Sequence, residues 1–118
     1  MPIFKVYTNA RKSAATKSLL EELNTELDKA LGKREAESIA IHIDTDKLVS
    51  FGGTTELCAV CSFTNIGKSE ASKNKTYSKL FSDLLNKHLG ISAERIYIHF
   101  IDVPVECAGW KGTLFCFL

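Results

Sequence analysis

The chain has 118 residues, 45% of them hydrophobic and 25% charged, with a formal net charge of +1. That length suits one domain and that composition a soluble globular protein. A charge so close to balance gives no footing for a nucleic-acid or anionic-membrane partner. No apolar run approaches the roughly 18 residues of a membrane-spanning helix. The N-terminus lacks the charged-then-apolar pattern of a secretory signal, so the expected location is cytoplasmic. Cysteine stands third from the C-terminus (Cys116-Phe117-Leu118), where a prenylation motif needs it fourth. The four cysteines, Cys58, Cys61, Cys107 and Cys116, are expected as reduced thiols.

In chain order the pattern predicts strand, helix, strand, and then the same again. The run Pro-Ile-Phe-Lys-Val-Tyr-Thr from Pro2 to Thr8 predicts a first strand. Asn9 and Ser13 are cap candidates for a helix ending near Leu31. Its apolar residues Leu20, Leu23, Leu27 and Leu31 recur at spacings of three and four, and Gly32 stops it. Residues 39–44 predict a second strand. Residues 48–51 are a candidate short extra strand, and Gly52-Gly53 a turn. Residues 57–63 predict a third main strand. A second helix is expected over 72–89, with Phe81, Leu84, Leu85 and Leu89 inward and Gly90 as its stop. Residues 96–103 predict the last main strand, and the tail from Glu106 is irregular or a short hairpin. Lys68, Lys73, Lys75, Lys79 and Lys87 are interleaved with Glu70 and Asp83, as on a solvated helix face.

The two halves repeat. Leu31-Gly32 matches Leu89-Gly90, and Glu37-Ser38-Ile39-Ala40-Ile41-His42 matches Glu94-Arg95-Ile96-Tyr97-Ile98-His99. The fold class expected is therefore α/β (α+β): two βαβ units related by a pseudo-twofold axis. They make a four-stranded mixed sheet, and right-handed crossovers set both helices on one face. The other face is left bare. Ile96, Ile98 and Phe100 alternate with Tyr97, His99 and Ile101, so both sides carry apolar residues. A second copy of the chain is the expected cover, which makes the protein a homo-oligomer.

Met1-Pro2 suggests a chemistry of its own. Methionine before a small residue is usually trimmed, which would leave a proline amine at the N-terminus. An α-amino group has a pKa of roughly 7.7–8.0, and burial or a nearby cation lowers it. Such an amine is a general base near neutral pH; the alternative is an ordinary processed end. Cys58-Ala59-Val60-Cys61 reads as a redox pair, half of a zinc site, or two buried thiols. On a strand, residues three apart point to opposite faces about 10 Å from each other, beyond the roughly 7 Å that a disulfide spans. His42, His88 and His99 are too scattered for a metal triad. His42 fits a hydrogen-bonded core histidine and His88 the end of a helix. His99 shares a strand face with Tyr97. Lys33, directly after the helix stop, is a solvated loop lysine or a site cation. Trp110, with Phe115 near it, is a core plug or an aromatic wall. No metal site and no cofactor is expected.

The motifs in order are Met1-Pro2 with Phe4, Thr8-Asn9, Gly32-Lys33, Ile39-Ala40-Ile41-His42, Ser50-Phe51-Gly52-Gly53, Cys58-Ala59-Val60-Cys61, Ile66-Gly67-Lys68, Asn74, Tyr77-Ser78-Lys79-Leu80, Arg95-Ile96-Tyr97-Ile98 and Gly109-Trp110. With these, residues 1 to about 115 resemble the macrophage migration inhibitory factor (MIF) family of the tautomerase superfamily, more than its D-dopachrome tautomerase branch. The resemblance implies a homotrimer whose sheets wrap a central channel, with an active site between subunits. It implies a keto–enol tautomerase, an isomerase of phenylpyruvate and dopachrome-like aromatic keto/enol acids, with Pro2 as catalytic base. Lys33 would hold the substrate's anionic oxygen. Ile66 would offer its backbone amide and an apolar wall, Tyr97 and His99 would come from the neighbouring subunit, and Trp110 and Phe115 would close over the ring. It also implies cytokine activity, secretion without a signal peptide, and a receptor such as the MHC class II invariant chain. A ligand or trimeric scaffold with a vestigial pocket is the alternative. The sequence departs from the family pattern at His99, Ser38, Thr64, Asn65 and the added tail Cys116, Phe117 and Leu118, which points to a non-vertebrate member.

Overall fold

Alternation of apolar and polar residues makes the strands, and leucines four apart make the first helix. The computed structural model describes residues 2–32, 36–67 and 70–118. Its main sheet contains β1 (Pro2–Thr8), β2 (Ala40–Asp44), β3 (Ala59–Ile66) and β4 (Ile96–Val103) in the order β2-β1-β3-β4. β1 pairs parallel with β2, and β3 pairs parallel with β4; the two halves join antiparallel through β1 and β3. Helices α1 (Lys17–Leu31) and α2 (Ala71–Leu89) are the two crossovers. Both end on a glycine in the left-handed region, Gly32 at φ 67° and Gly90 at φ 72°. A residue with a Cβ is strained there, so each glycine fixes where its helix stops. The paired βαβ units and the mixed four-stranded sheet expected from the repeat are present.

The core lies between the sheet and the helices. Phe4 and Val6 of β1, and Cys61 and Phe63 of β3, face Leu19, Leu23 and Leu27 of α1 and Phe81 and Leu85 of α2. The rings of Phe4 and Phe81 stack with centroids 3.8 Å apart, and Phe63 meets both Tyr77 and Phe81 at 5.1 Å. The buried leucine stripe of α1 begins at Leu19; Leu20, expected inward, is 39% exposed. Glu22 joins the helices, accepting from Lys87 Nζ at 2.7 Å and meeting His88 Nε2 at 3.0 Å. The Lys87 hydrogen bond, then that of His88, holds the Glu22 carboxyl below its usual range.

Several sequence expectations shift. Asn9 does not cap α1. Its side-chain amide donates to the Thr55 and Glu56 carbonyls, and its oxygen accepts from the Cys58 N–H at 3.0 Å. With Asn9 engaged there, a 3-10 turn (Lys12–Ala14) precedes the helix, which starts from Thr16. The third strand covers Ala59–Ile66, not 57–63, because β1 ends at Thr8 opposite Ala59 and offers nothing earlier to pair with. Residues 48–51 form no strand in this chain, and Phe51 makes only an isolated bridge to Thr54. Leu48 is 97% exposed beside a shallow groove of about 210 Å³ lined by Asn9, Val49 and Leu57. His42 is exposed rather than in the core, with Nε2 3.2 Å from Asp44. The tail forms a short hairpin, β5 (Gly109–Trp110) with β6 (Thr113–Leu114).

Cys58 and Cys61 are both buried and free. Cys61 packs in the main core, while the Cys58 thiol points to the Val49 carbonyl at 3.8 Å in the flanking loop. Burial pushes the Cys61 thiol up to about 12, so it stays protonated and unreactive at neutral pH.

Replacing Phe81 with alanine removes the ring shared by Phe4, Phe63 and Tyr77. It is expected to cost about 3–5 kcal/mol, read from urea denaturation at fixed protein concentration; a loss below 1 kcal/mol would contradict this packing. Under native conditions at pH 8, iodoacetamide is expected to label Cys107 and Cys116 while Cys58 and Cys61 react only after denaturation. Early labelling of Cys61, or a bridged Cys58–Cys61 pair in the folded protein, would contradict the burial.

Candidate functional site

β1 begins at one end of the sheet, and its first residue is Pro2. Pro2 pairs with Asn65 of β3, and Asn65 pairs with Asp102 of β4. These three residues form the terminal row on the helix-covered face. Behind them lies an apolar row, Ile41, Phe4, Phe63 and Phe100. Pro2 is less than 2% exposed. An amine at this position therefore has phenylalanine rings on its inner side and amide and carboxylate groups along its own row. Burial against rings disfavours a cation, whereas a neighbouring carboxylate favours one.

Ile66 is the last residue of β3 and lies opposite Val103. The Gly67 N–H donates to the Val103 carbonyl at 2.8 Å, closing the strand pair just beyond the Pro2 row. β2 enters at Ala40, opposite Ile3, so the α1–β2 connection arrives at this same end of the sheet. Lys33, the expected site cation, belongs to that connection and lies outside the described residues. Ser38 is half-buried in a 3-10 turn (Ala36–Ser38) that leads into β2. The chain leaves β4 at Val103, again at the Pro2 end, and runs into the tail hairpin. There the Trp110 and Phe115 rings stack at 5.9 Å with planes 12° apart, and Lys111 Nζ lies 4.4 Å above the Trp110 ring. The hairpin thus presents one aromatic surface.

Tyr97 and His99 lie elsewhere in the chain. Tyr97 shares a row with Val60 and Tyr7, and His99 a row with Ser62, Lys5 and His42, all on the face without helices. Tyr97 is five residues along β4 from Asp102, about 17 Å at roughly 3.3 Å per residue. One chain therefore does not bring Tyr97 to Pro2. The open face exposes 43% of Tyr7, 40% of Val60 and 63% of Tyr97, an aromatic patch of the kind that soluble chains cover by association.

Sequence reasoning did not find Asn65 and Asp102 as neighbours of Pro2. Only the register between β1, β3 and β4 sets them in one row, and that register is invisible in the residue string. It also gave no role to the Arg95 side chain, which ties the start of β4 to the preceding loop. Arg95 donates to the carbonyls of Leu57 at 3.0 Å and Glu56 at 3.1 Å and to Thr54 Oγ1 at 3.0 Å, and its guanidinium lies over Phe51. Among the described residues no group of three or more His, Cys, Asp or Glu side chains could hold a metal ion.

Comparison with known proteins fits this geometry. The family model for macrophage migration inhibitory factor (MIF) matches residues 1–116. The chain is 45% identical over 115 residues to macrophage migration inhibitory factor of Xenopus laevis, covering 98% of this chain and 99% of that one. It is 37% identical over 115 residues to the homolog of Trichinella spiralis, covering 98% of this chain and all of the other. Among solved structures, the factor from Trichinella spiralis superposes with a TM-score of 0.87 at 35% identity, over 95% of this chain and 98% of the other. The homologue from Prochlorococcus marinus gives 0.89 at 31% identity, over 96% and 98%. The chain belongs to the macrophage migration inhibitory factor family.

Proposed function

We propose that this protein is a keto–enol tautomerase of small aromatic keto/enol acids, of the phenylpyruvate or dopachrome type, with Pro2 as its general base after removal of Met1. The observation that carries this reading is the position of Pro2: first in its strand, buried, and backed by the phenylalanine row. A secondary amine held there has a fixed direction, and the apolar side disfavours its protonated form. In the keto-to-enol direction the amine takes a proton from the carbon beside the carbonyl. The electron pair of that C–H bond becomes the C=C bond, and the carbonyl oxygen gains the negative charge. Lys33 neutralises that charge or holds the carboxylate, and the proton returns to the oxygen. The Ile66 backbone and side chain bound the site, and Trp110 and Phe115 form its aromatic wall.

Completion of the site requires a second copy of the chain. Tyr97 and His99 lie too far up β4 to serve their own Pro2, and they sit on the uncovered face with Tyr7 and Val60. A homotrimer covers that face and lets a neighbour supply both side chains. Leu48, almost fully exposed on a shallow groove, supports the same assembly. The name shared by the relatives supports a second role for the trimer, that of a secreted cytokine-like ligand for a receptor such as the invariant chain. The two roles are compatible, because the receptor would read the outer surface and the substrate the buried site.

Light scattering at micromolar concentration is expected to give about three times the 13.1 kDa chain mass; a well-behaved monomer would overturn the assembly. Replacing Pro2 with glycine leaves a primary amine in place of the secondary one and loses the ring that directs it. Positioned bases are worth roughly 10²–10⁴-fold, so kcat/KM on phenylpyruvate is expected to fall at least about a hundredfold with the circular dichroism spectrum unchanged. Full retained activity would reduce Pro2 to a processed end. Lys33→Ala is expected to raise KM and to move the acid limb of the pH–rate profile to higher pH. The sign follows because losing a nearby cation makes the protonated amine easier to form.

A further inference from the structure

The tail holds chemistry that proton transfer at Pro2 does not use. Cys107 and Cys116 are exposed free thiols, one on each side of the β5–β6 hairpin. In that hairpin Gly109 lies opposite Leu114 and Trp110 opposite Thr113. Lys111 and Gly112 make the two-residue loop, at φ 55° and 76°, as a type I′ turn requires. The ladder continues outward, with the Phe115 N–H donating to the Ala108 carbonyl at 2.9 Å. Continued one further step, this register would bring Cys107 opposite Cys116. Here the chain passes into two 3-10 turns, Val105–Cys107 and Phe115–Phe117, which pack against each other.

The step has the right character for a crosslink. Hydrogen-bonded and non-hydrogen-bonded pairs alternate along an antiparallel ladder. Trp110–Thr113 closes the turn and Ala108–Phe115 is hydrogen-bonded, so the next position outward, where the two 3-10 turns take the place of a ladder pair, would be of the non-hydrogen-bonded kind. In a regular ladder such a pair has Cα atoms about 4.5 Å apart, within the roughly 4.4–6.8 Å that a disulfide spans. The contrast with Cys58 and Cys61 is sharp, since Cys61 is buried in the main core while Cys58, just before β3, is buried against the loop at Val49.

We propose that Cys107 and Cys116 form a reversible intrachain disulfide that locks the hairpin carrying Trp110 and Phe115. The oxidant is a small-molecule disulfide such as oxidised glutathione. The thiolate of one cysteine, having lost its proton to solvent, attacks a sulfur of the oxidant and expels one glutathione thiolate, which leaves a mixed disulfide. The second cysteine, likewise deprotonated, attacks the protein sulfur and expels the other glutathione. Two protein thiols are oxidised and one small disulfide is reduced to two thiols. The bond closes the base of the hairpin around the Trp110–Phe115 stack, so the aromatic surface moves as one body. Any effect on substrate binding rests on the proposed tautomerase reading; the crosslink itself does not.

The test uses the full chain equilibrated in glutathione buffers from reducing to oxidising, quenched in acid, alkylated and digested with trypsin. Cleavage after Lys111 separates the two cysteines, so the disulfide appears as one joined species containing both peptides. The expected result is that species, short of two hydrogen atoms, returning to two alkylated peptides on reduction and absent from Cys116→Ser. Cys58 and Cys61 are expected in no crosslink. Separate glutathione adducts on Cys107 and Cys116, a bridge between two copies, or persistent free thiols at the oxidising end would overturn the proposal. Trp110 is the single tryptophan, and its acrylamide quenching is expected to fall on oxidation in the parent and not in Cys116→Ser. Unchanged quenching in the crosslinked protein would overturn the lock. A joined peptide in a protein without tautomerase activity would sink the enzyme reading and leave the disulfide standing.

Discussion

The register between β1 and β3 is the constraint on which the rest depends. It is the one antiparallel junction between two parallel pairs, and it sets Phe4 opposite Phe63 and Pro2 opposite Asn65. Because side chains alternate along a strand, a slip of one residue would turn Phe4 and Val6 outward and bring Lys5 and Tyr7 into the core. The stack of Phe4 on Phe81 and the contacts of Phe63 with Tyr77 and Phe81 hold the register from the helix side. The same pairing that builds the core therefore delivers the first residue of the strand to the sheet end. Stability and the proposed chemistry share one geometric origin.

One-sided cover is the second consequence. Both crossovers lie on the same side, so Lys5, Tyr7, His42, Val60, Tyr97 and His99 are left on the other. A face with this many partly apolar residues is unfavourable in water at about 25 cal/mol per Å² of apolar area. Association relieves that cost and, in the proposed trimer, also carries Tyr97 and His99 toward a neighbour's Pro2. Within one chain those two side chains have no route to the base.

Much of the fold was legible because its signals are local. β1 and β4 fall on the bounds expected, since apolar residues alternate along all of β1 and along β4 as far as Phe100. The helix stops at Gly32 and Gly90 were legible because a left-handed position favours glycine. The misplacements came from long-range partners. Asn9 looked like a helix cap but serves the loop at 55–58, and Leu20 looked inward where Leu19 is the buried residue. Residues 48–51 have the pattern of a strand but pair only through the isolated bridge of Phe51 to Thr54. The site was legible as residue types through the family resemblance. Its arrangement was not, because the row Pro2, Asn65 and Asp102 exists only through strand register, and the two exposed cysteines of the tail are brought to the same end of the fold only by a hairpin turn.

The central claim is that a working site takes its base from one copy and Tyr97 and His99 from another. The direct measurement mixes two inactive proteins, Pro2→Gly and the double variant Tyr97→Ala/His99→Ala, by joint unfolding and refolding at equal concentration. In a randomly mixed cyclic assembly about a quarter of the sites unite an intact Pro2 with an intact neighbour. The account predicts tautomerase activity rising toward about a quarter of the parent's, from two preparations that are each nearly inactive. Activity no greater than the mean of the two unmixed variants, or a double variant as active as the parent, would contradict it.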